Sequence, residues 1–240
     1  MINKVVIPAA GKGTRMLELA KDRPKHLIDV LDKPFIYYVL KNLQAAGFSE
    51  MILVIGNHAD KMREFAAGAG KEFNLTLVDQ FETMGTAKYG TAIPVLAAQA
   101  AVGNEPFICI YGDNLYSQRD LQAMHEMDDE FNYVSLLHVP NPERYGVPIM
   151  NGEMVVDFVE KPKEFISNWV SIGCYKFTPE IFSEAAKVGK SPRGEYELTD
   201  AVATLAKQGK VKGRKMLDYW LDFGNPDDIK KVGDFLQTQS

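Results

Sequence analysis

Between Val5 and Lys25 the chain reads VVIPAAGKGTRMLELAKDRPK, and several of these residues could handle phosphate. An apolar run that breaks into Gly11-x-Gly13 frees backbone N–H groups to close on an anion without interference from Cβ atoms. Lys12, Thr14 and Arg15 stand in that turn, and a Pro24-Lys25 step follows it. The guanidinium of Arg15 is a planar fork suited to phosphate oxygens, so the segment has the chemistry of a site for several phosphates at once.

Two familiar phosphate loops do not fit the spacing. A P-loop needs Gly-Lys five residues beyond its first glycine, where Met16-Leu17 stands. A dinucleotide fingerprint needs a sixth-position glycine or alanine, which is Met16, and an acidic residue closing the second strand, where Gly56-Asn57-His58 stands.

The elements that must position this turn alternate between strand and helix. Strands are expected at 4–8, 51–55, 75–79 and 107–111, with helices near 35–46, 59–67, 86–100 and 119–128. Phe35, Ile36, Val39, Leu40 and Leu43 recur at helical spacing. MILVI and FICIY are apolar throughout, the pattern of strands covered on both faces. The fold class expected is α/β, a doubly wound, mostly parallel, Rossmann-like sheet. Ligands in such sheets sit at the carboxyl ends of the strands, so Gly11, Gln80 and Gly112 should share one rim. From about residue 132 the pieces YVSLLHV, MVVDFVE, WVSIGCYKF and GRKMLDYWLDF are strand-like, with helices near 180–187 and 195–208. These should extend the sheet and fold a smaller lobe over its rim. One domain is expected over 1–240: a first half at 1–131, a smaller lobe and sheet extension at 132–226, and a C-terminal helix at 227–240.

Composition narrows the partners. The 240 residues are 46% hydrophobic and 25% charged, which suits a globular protein, and the formal net charge of -5 opposes a general nucleic-acid binder. No apolar stretch approaches the length of a membrane span and no signal peptide is recognisable, so a cytoplasmic location is expected. Cys109 and Cys174 lie in apolar, strand-like surroundings and read as buried, unpaired thiols. The four histidines show no metal-ligand spacing, and His26 is expected at the surface.

Taken together the motifs resemble the sugar-phosphate nucleotidylyltransferases, the family that includes glucose-1-phosphate thymidylyl- and uridylyltransferases. Gly11-x-Gly-Thr-Arg15 with Pro24-Lys25 is the first of seven pieces in order; then come Gln80…Gly85-Thr86-Ala87, Gly112-Asp113-Asn114, Glu143-Arg-Tyr-Gly-Val147, Glu160-Lys-Pro162, Arg193-Gly-Glu…Leu-Thr-Asp200 and Trp220-Leu-Asp-Phe-Gly224. The resemblance implies a Mg²⁺-dependent transfer from a pyrimidine nucleoside triphosphate, dTTP or UTP, to a sugar-1-phosphate, with glucose-1-phosphate favoured, and makes 1–131 a nucleotide-binding half and 132–226 a sugar-binding lobe.

It assigns Ala10, Gly11, Gly13 and Thr14 to the triphosphate, Arg15 and Lys25 to the reacting phosphates, and Gln80, Gly85 and Thr86 to the nucleoside. A glutamine amide matches N3–H and O4 of uracil or thymine, yet flipped it also meets cytosine, so a cytidylyltransferase for a sugar phosphate or phosphocholine stays open. Asp113 and Asp222 are the implied Mg²⁺ ligands, in keeping with the preference of a hard cation for one or two carboxylates plus phosphate oxygens. Gly146, Glu160, Lys161, Gly173 and Arg193 are implied on the sugar phosphate, the two glycines where backbone approaches the sugar. The 18 residues after Asp222 leave no room for a β-helix acyltransferase domain or a regulatory helical extension, so feedback control there is not expected. A homo-oligomer, a non-catalytic sugar-nucleotide sensor and, against the spacing, a nicotinamide oxidoreductase are the remaining alternatives.

Overall fold

A computed structural model describes residues 1–239. Strand β1 (Lys4–Pro8) runs into the glycine turn, and a short hairpin of β2 (Asp29–Val30) and β3 (Lys33–Pro34) leads to helix α1 (Phe35–Ala45). Then follow β4 (Glu50–Ile55), α2 (Ala59–Ala67), β5 (Leu75–Asp79), α3 (Gln80–Met84), α4 (Ala92–Ala97), α5 (Gln99–Val102), β6 (Phe107–Ile110), β7 (Asn114–Tyr116) and α6 (Gln118–His125). The second half supplies β8 (Asn132–His138), β9 (Gly146–Asn151), β10 (Met154–Glu160), β11 (Trp169–Phe177), α7 (Glu180–Ala185), α8 (Leu198–Lys207), β12 (Val211–Lys215), β13 (Trp220–Asp222) and α9 (Pro226–Thr238).

Nine strands form one sheet in the order β5-β4-β1-β6-β11-β8-β12-β10-β9. The first four are parallel neighbours, and β10 and β11 run against the rest. Alternate residues of β1 and β4 enter different cores, as strands covered on both faces require. Val5, Ile7, Met51 and Leu53 pack with α1 and α6, whereas Val6, Ile52 and Val54 pack with α4, α7 and α8. The fold is therefore mixed α/β with a large, mostly parallel central sheet.

Three expected elements are redrawn. The helix expected over 86–100 is broken: residues 85–91 form a loop, and helix resumes at Ala92. Gly90 sits at φ 138°, and a Cβ there would lie 2.3 Å from the backbone of Tyr196. This close approach arises because Tyr196 N–H donates to Tyr89 O and Ala92 N–H donates to Tyr196 O. The same pairing keeps 195–197 out of the helix expected from 195, so α8 starts at Leu198. The stretch GRKMLDYWLDF also divides. Its first part joins the large sheet as β12, and its last part pairs with β7 as a separate two-stranded sheet.

Candidate active site

At the carboxyl end of β1 the chain is tied to a neighbouring loop before the glycine turn begins. Ala9 N–H still bonds Val54 O, and Ala10 O accepts both the backbone N–H and the side-chain amide of Asn57. Gly13, at φ 64°, then opens a 3₁₀ segment, Thr14–Ala20, that is interrupted at Leu17 (φ 52°, ψ -133°). With Ala10 clamped, Gly11, Lys12, Gly13, Thr14 and Arg15 border a cleft of about 830 Å³ at the strand ends. Arg15 reaches across it: its Nη1 lies 3.3 Å from where a Cβ of Gly224 would stand, and Asp222 Oδ2 lies 3.1 Å from the same point.

Asp113 leaves β6 through Gly112, whose N–H bonds Pro8 O and so ties this turn to the end of β1. Immediately beyond, β7 pairs antiparallel with β13, setting Asn114 opposite Asp222, and Phe223 N–H donates to Asp113 O. The two aspartates are thus fixed in one register. The Lys25 ammonium forms an ion pair with the Asp113 carboxylate. Burial would raise the Asp113 carboxyl, but the Lys25 charge and hydrogen bond, aided by His26 where its ring protonates at low pH, outweigh it and hold it below the usual value. For Asp222 burial and the nearby Asp113 charge prevail over Lys25 and Arg15 and push the carboxyl up.

His26 is buried, not at the surface as its sequence context suggested, and its Nδ1 has no partner. Burial, then the Lys25 charge, lowers it to about 4 and keeps the ring neutral. The reason is local: residues 25–27 make a single 3₁₀ turn that buries both Lys25 and His26 against the Gly112 turn.

On the opposite wall β9 and β10 pair so that Gly146 faces Glu160. Lys161, at φ 45°, turns the chain out of the strand, and its N–H bonds Tyr145 O. Glu160 draws both neighbouring cations: Lys161 Nζ at 3.8 Å and Arg193 Nη1 at 3.4 Å. Arg193 also meets Glu195 at 3.3 Å and the buried Glu197 at 3.5 Å. Burial raises the Glu160 carboxyl; Lys161 opposes the shift and Glu197 adds to it. Glycine at 146 and 173 is required by packing: a Cβ on Gly146 would strike Phe158, and on Gly173 (φ 72°) it would strike Tyr111.

A family model described as nucleotidyl transferase matches residues 4–239. The chain belongs to the nucleotidyl transferase family. A UTP–glucose-1-phosphate uridylyltransferase of Haloferax volcanii is 30% identical, with 99% of this chain aligned to 98% of that protein. A bifunctional GlmU protein of Methanocaldococcus jannaschii is 33% identical over 96% of the chain, which spans only 53% of that relative's length. Among solved structures, a UDP-glucose pyrophosphorylase complexed with UDP-glucose superposes with a TM-score of 0.85 at 26% identity, covering both chains fully.

In this nucleotidyl transferase, Ala10, Gly11, Gly13, Thr14, Arg15, Lys25, Gln80, Asp113, Gly146, Glu160, Lys161, Gly173, Arg193 and Asp222 all line the one cleft. Gly85 and Thr86 do not. They are exposed in the 85–91 loop, because Asp79 caps α3 through the N–H groups of Phe81 and Glu82 and carries the chain away from the rim. Tyr89, Gly90 and Thr91 border the cleft instead. Sequence reasoning also passed over Tyr111, Glu197 and Thr199. Tyr111 adjoins the Gly112-Asp113 motif and Glu197 lies inside the Arg193–Asp200 motif, so adjacency was the available signal for both.

The donor set can be tested against a divalent cation. Asp113 and Asp222 are two carboxylates held together, and Asn114 Oδ1 beside them is a buried acceptor with no hydrogen bond. No group of three or more His, Cys, Asp or Glu residues suited to a metal occurs among the described residues. Two carboxylates and a spare carbonyl fit a hard cation that completes its shell with phosphate oxygens and water, and do not fit zinc.

Proposed function

We propose that this cleft transfers a nucleotidyl group from a pyrimidine nucleoside triphosphate, dTTP or UTP, to a sugar-1-phosphate, with glucose-1-phosphate as the preferred acceptor. The observation that carries the reading is the convergence of three parts on one cleft: the Gly11–Arg15 turn with Lys25, the Asp113/Asp222 pair, and the Glu160/Lys161/Arg193 wall. The relatives, a uridylyltransferase and a UDP-glucose pyrophosphorylase among them, support it.

In this reading the Gly11–Thr14 backbone receives the triphosphate and the Gln80 amide faces the pyrimidine edge. Lys161 and Arg193 exchange Glu160 for the sugar phosphate, freeing Glu160 to accept bonds from ring hydroxyls. A phosphate oxygen of the sugar phosphate then attacks the α-phosphorus. The new P–O bond forms as the bond to the β-phosphate oxygen breaks, and pyrophosphate leaves. The attacking oxygen is already ionised at neutral pH, so no general base is needed. Arg15 and Lys25 offset the charge that gathers on the α-phosphate and the leaving group, and the two walls hold the reactants in line. Asp113 and Asp222 would hold Mg²⁺, which supplies charge neutralisation and orientation of the phosphates.

A panel of UTP, dTTP, CTP, ATP and GTP against several sugar-1-phosphates and phosphocholine, read by pyrophosphate release, tests the reading. Turnover should be largest with UTP or dTTP and glucose-1-phosphate. A preference for CTP would move the assignment to a cytidylyltransferase, and no release with any pair would leave a sugar-nucleotide binding protein.

A further inference from the structure

Asp120 is almost completely buried and does not line the cleft, and yet its side chain is acidic.

Its place is the third residue of α6, where an acidic side chain ordinarily reaches back to the backbone N–H of the capping residue. Here that N–H, on Ser117, donates instead to Tyr219 O. The Asp120 carboxylate accepts from Leu217 N–H at 3.0 Å and from Asp218 N–H at 2.9 Å, partners 97 and 98 residues away in sequence. The Ser117 hydroxyl fills a further acceptor position at 2.9 Å. The backbone N–H of the capping Ser117 and the Asp120 carboxylate therefore both bind residues 217–219, while the Ser117 hydroxyl caps α6 by accepting from Asp120 N–H.

Those residues are the crossover between the two sheets. The chain leaves the large sheet after β12, with Met216 N–H on Leu136 O, and enters β13 at Trp220. The anchoring of 217–219 sets where β13 starts along β7, and hence that Asp222 falls opposite Asn114, next to Asp113. We propose that Asp120 is a positioning residue for the Asp113/Asp222 pair, acting through the 217–219 crossover to hold Asp222 where a divalent cation needs it. The inference rests on the proposed role of that pair, and it gives a supporting part to a residue that touches neither substrate nor metal. Removing a direct hydrogen-bond partner of a metal ligand typically changes metal affinity by about 10–100-fold, and Asp120, which acts through the 218–222 backbone, is expected at the lower end of that range.

The test compares wild type, Asp120→Asn and Val202→Ala, the last a buried α8 residue remote from the crossover that serves as a control for lost stability. Mn²⁺ binding to the full chain is read by electron paramagnetic resonance, Mg²⁺ half-saturation by pyrophosphate release, and backbone exchange at 217–223 by hydrogen–deuterium exchange. Asp120→Asn should weaken Mn²⁺ binding and raise the Mg²⁺ half-saturation by about 10-fold or more, with faster exchange at 217–223 and turnover at saturating metal within about threefold of wild type. Val202→Ala should leave metal affinity unchanged. Wild-type metal affinity in Asp120→Asn overturns the proposal, as does an equal loss in Val202→Ala. Should Asp120→Asn fail to fold, Asp120→Glu keeps the charge but displaces the carboxylate by one methylene; weakened Mn²⁺ binding supports the proposal and wild-type binding overturns it. Failure of wild type to release pyrophosphate would sink the nucleotidylyl-transfer reading, while the Mn²⁺ arm would still report on Asp120.

Discussion

Asp113 and Asp222 share one site, yet their replacement by asparagine should move the stability of the ligand-free protein in opposite directions. Asp113 is paired with Lys25, and the two side chains are only 23% and 10% exposed. Asp113→Asn leaves that ammonium buried without its counter-charge. Loss of one partner of a buried pair costs about 3–5 kcal/mol, and partial exposure here brings the expectation to about 2–3 kcal/mol. For a chain of this length that lowers Tm by roughly 4–12 °C. Asp222 has no such partner, and burial together with the Asp113 charge raises its carboxyl. Its contribution to stability is complete below the ordinary value of 3.8 and is lost as pH rises through the folded-state value. At neutral pH the ionised group is therefore a cost, and Asp222→Asn should raise Tm. Asp113 behaves inversely: its contribution is present at neutral pH and is lost as pH falls below 3.8. Differential scanning calorimetry at pH 7, with chelator and without nucleotide, measures both. A fall in Tm for both variants, or no change for Asp113→Asn, would refute the electrostatic account of the pair.

Three further outcomes are expected. Because His26 is buried neutral with its value lowered from 6.5 to about 4, stability should fall as pH drops between those limits, by roughly 3 kcal/mol in all, and His26→Gln should flatten that part of a denaturant-midpoint profile. Cys109 and Cys174 are buried, with Cys174 pushed up to about 12, so a thiol reagent at pH 8 should modify the native protein only at its unfolding rate; rapid modification would contradict the packing. Gly90→Ala should destabilise by about 2 kcal/mol or more, since its Cβ would meet the Tyr196 backbone, and an unchanged urea midpoint would contradict that contact.

The sheet was legible in sequence where strands are short, apolar and flanked by turn residues. MILVI and FICIY became parallel neighbours of β1 because each is buried on both faces. The break at Gly90 was not legible, since its cause is the backbone of Tyr196, more than a hundred positions away. The same holds for GRKMLDYWLDF, whose division between two sheets is settled by distant partners on β8, β7 and α6. Site residues were legible where glycine, proline and charge fall together, as at Gly11–Arg15 and Glu160–Pro162. His26 was not, because a histidine beside a lysine carries no sign of burial, and Asp120 was not, because its partners are backbone amides of a remote loop.

The central claim is attack by a sugar-phosphate oxygen on the α-phosphorus, and oxygen labelling tests it most directly. Glucose-1-phosphate carrying ¹⁸O throughout its phosphate is incubated with UTP or dTTP and Mg²⁺, and the products are weighed by mass spectrometry. The account predicts a nucleotide sugar that retains every labelled oxygen, one of them bridging the two phosphorus atoms, together with unlabelled pyrophosphate. Label in the released pyrophosphate or phosphate, or no nucleotide sugar at all, would contradict it.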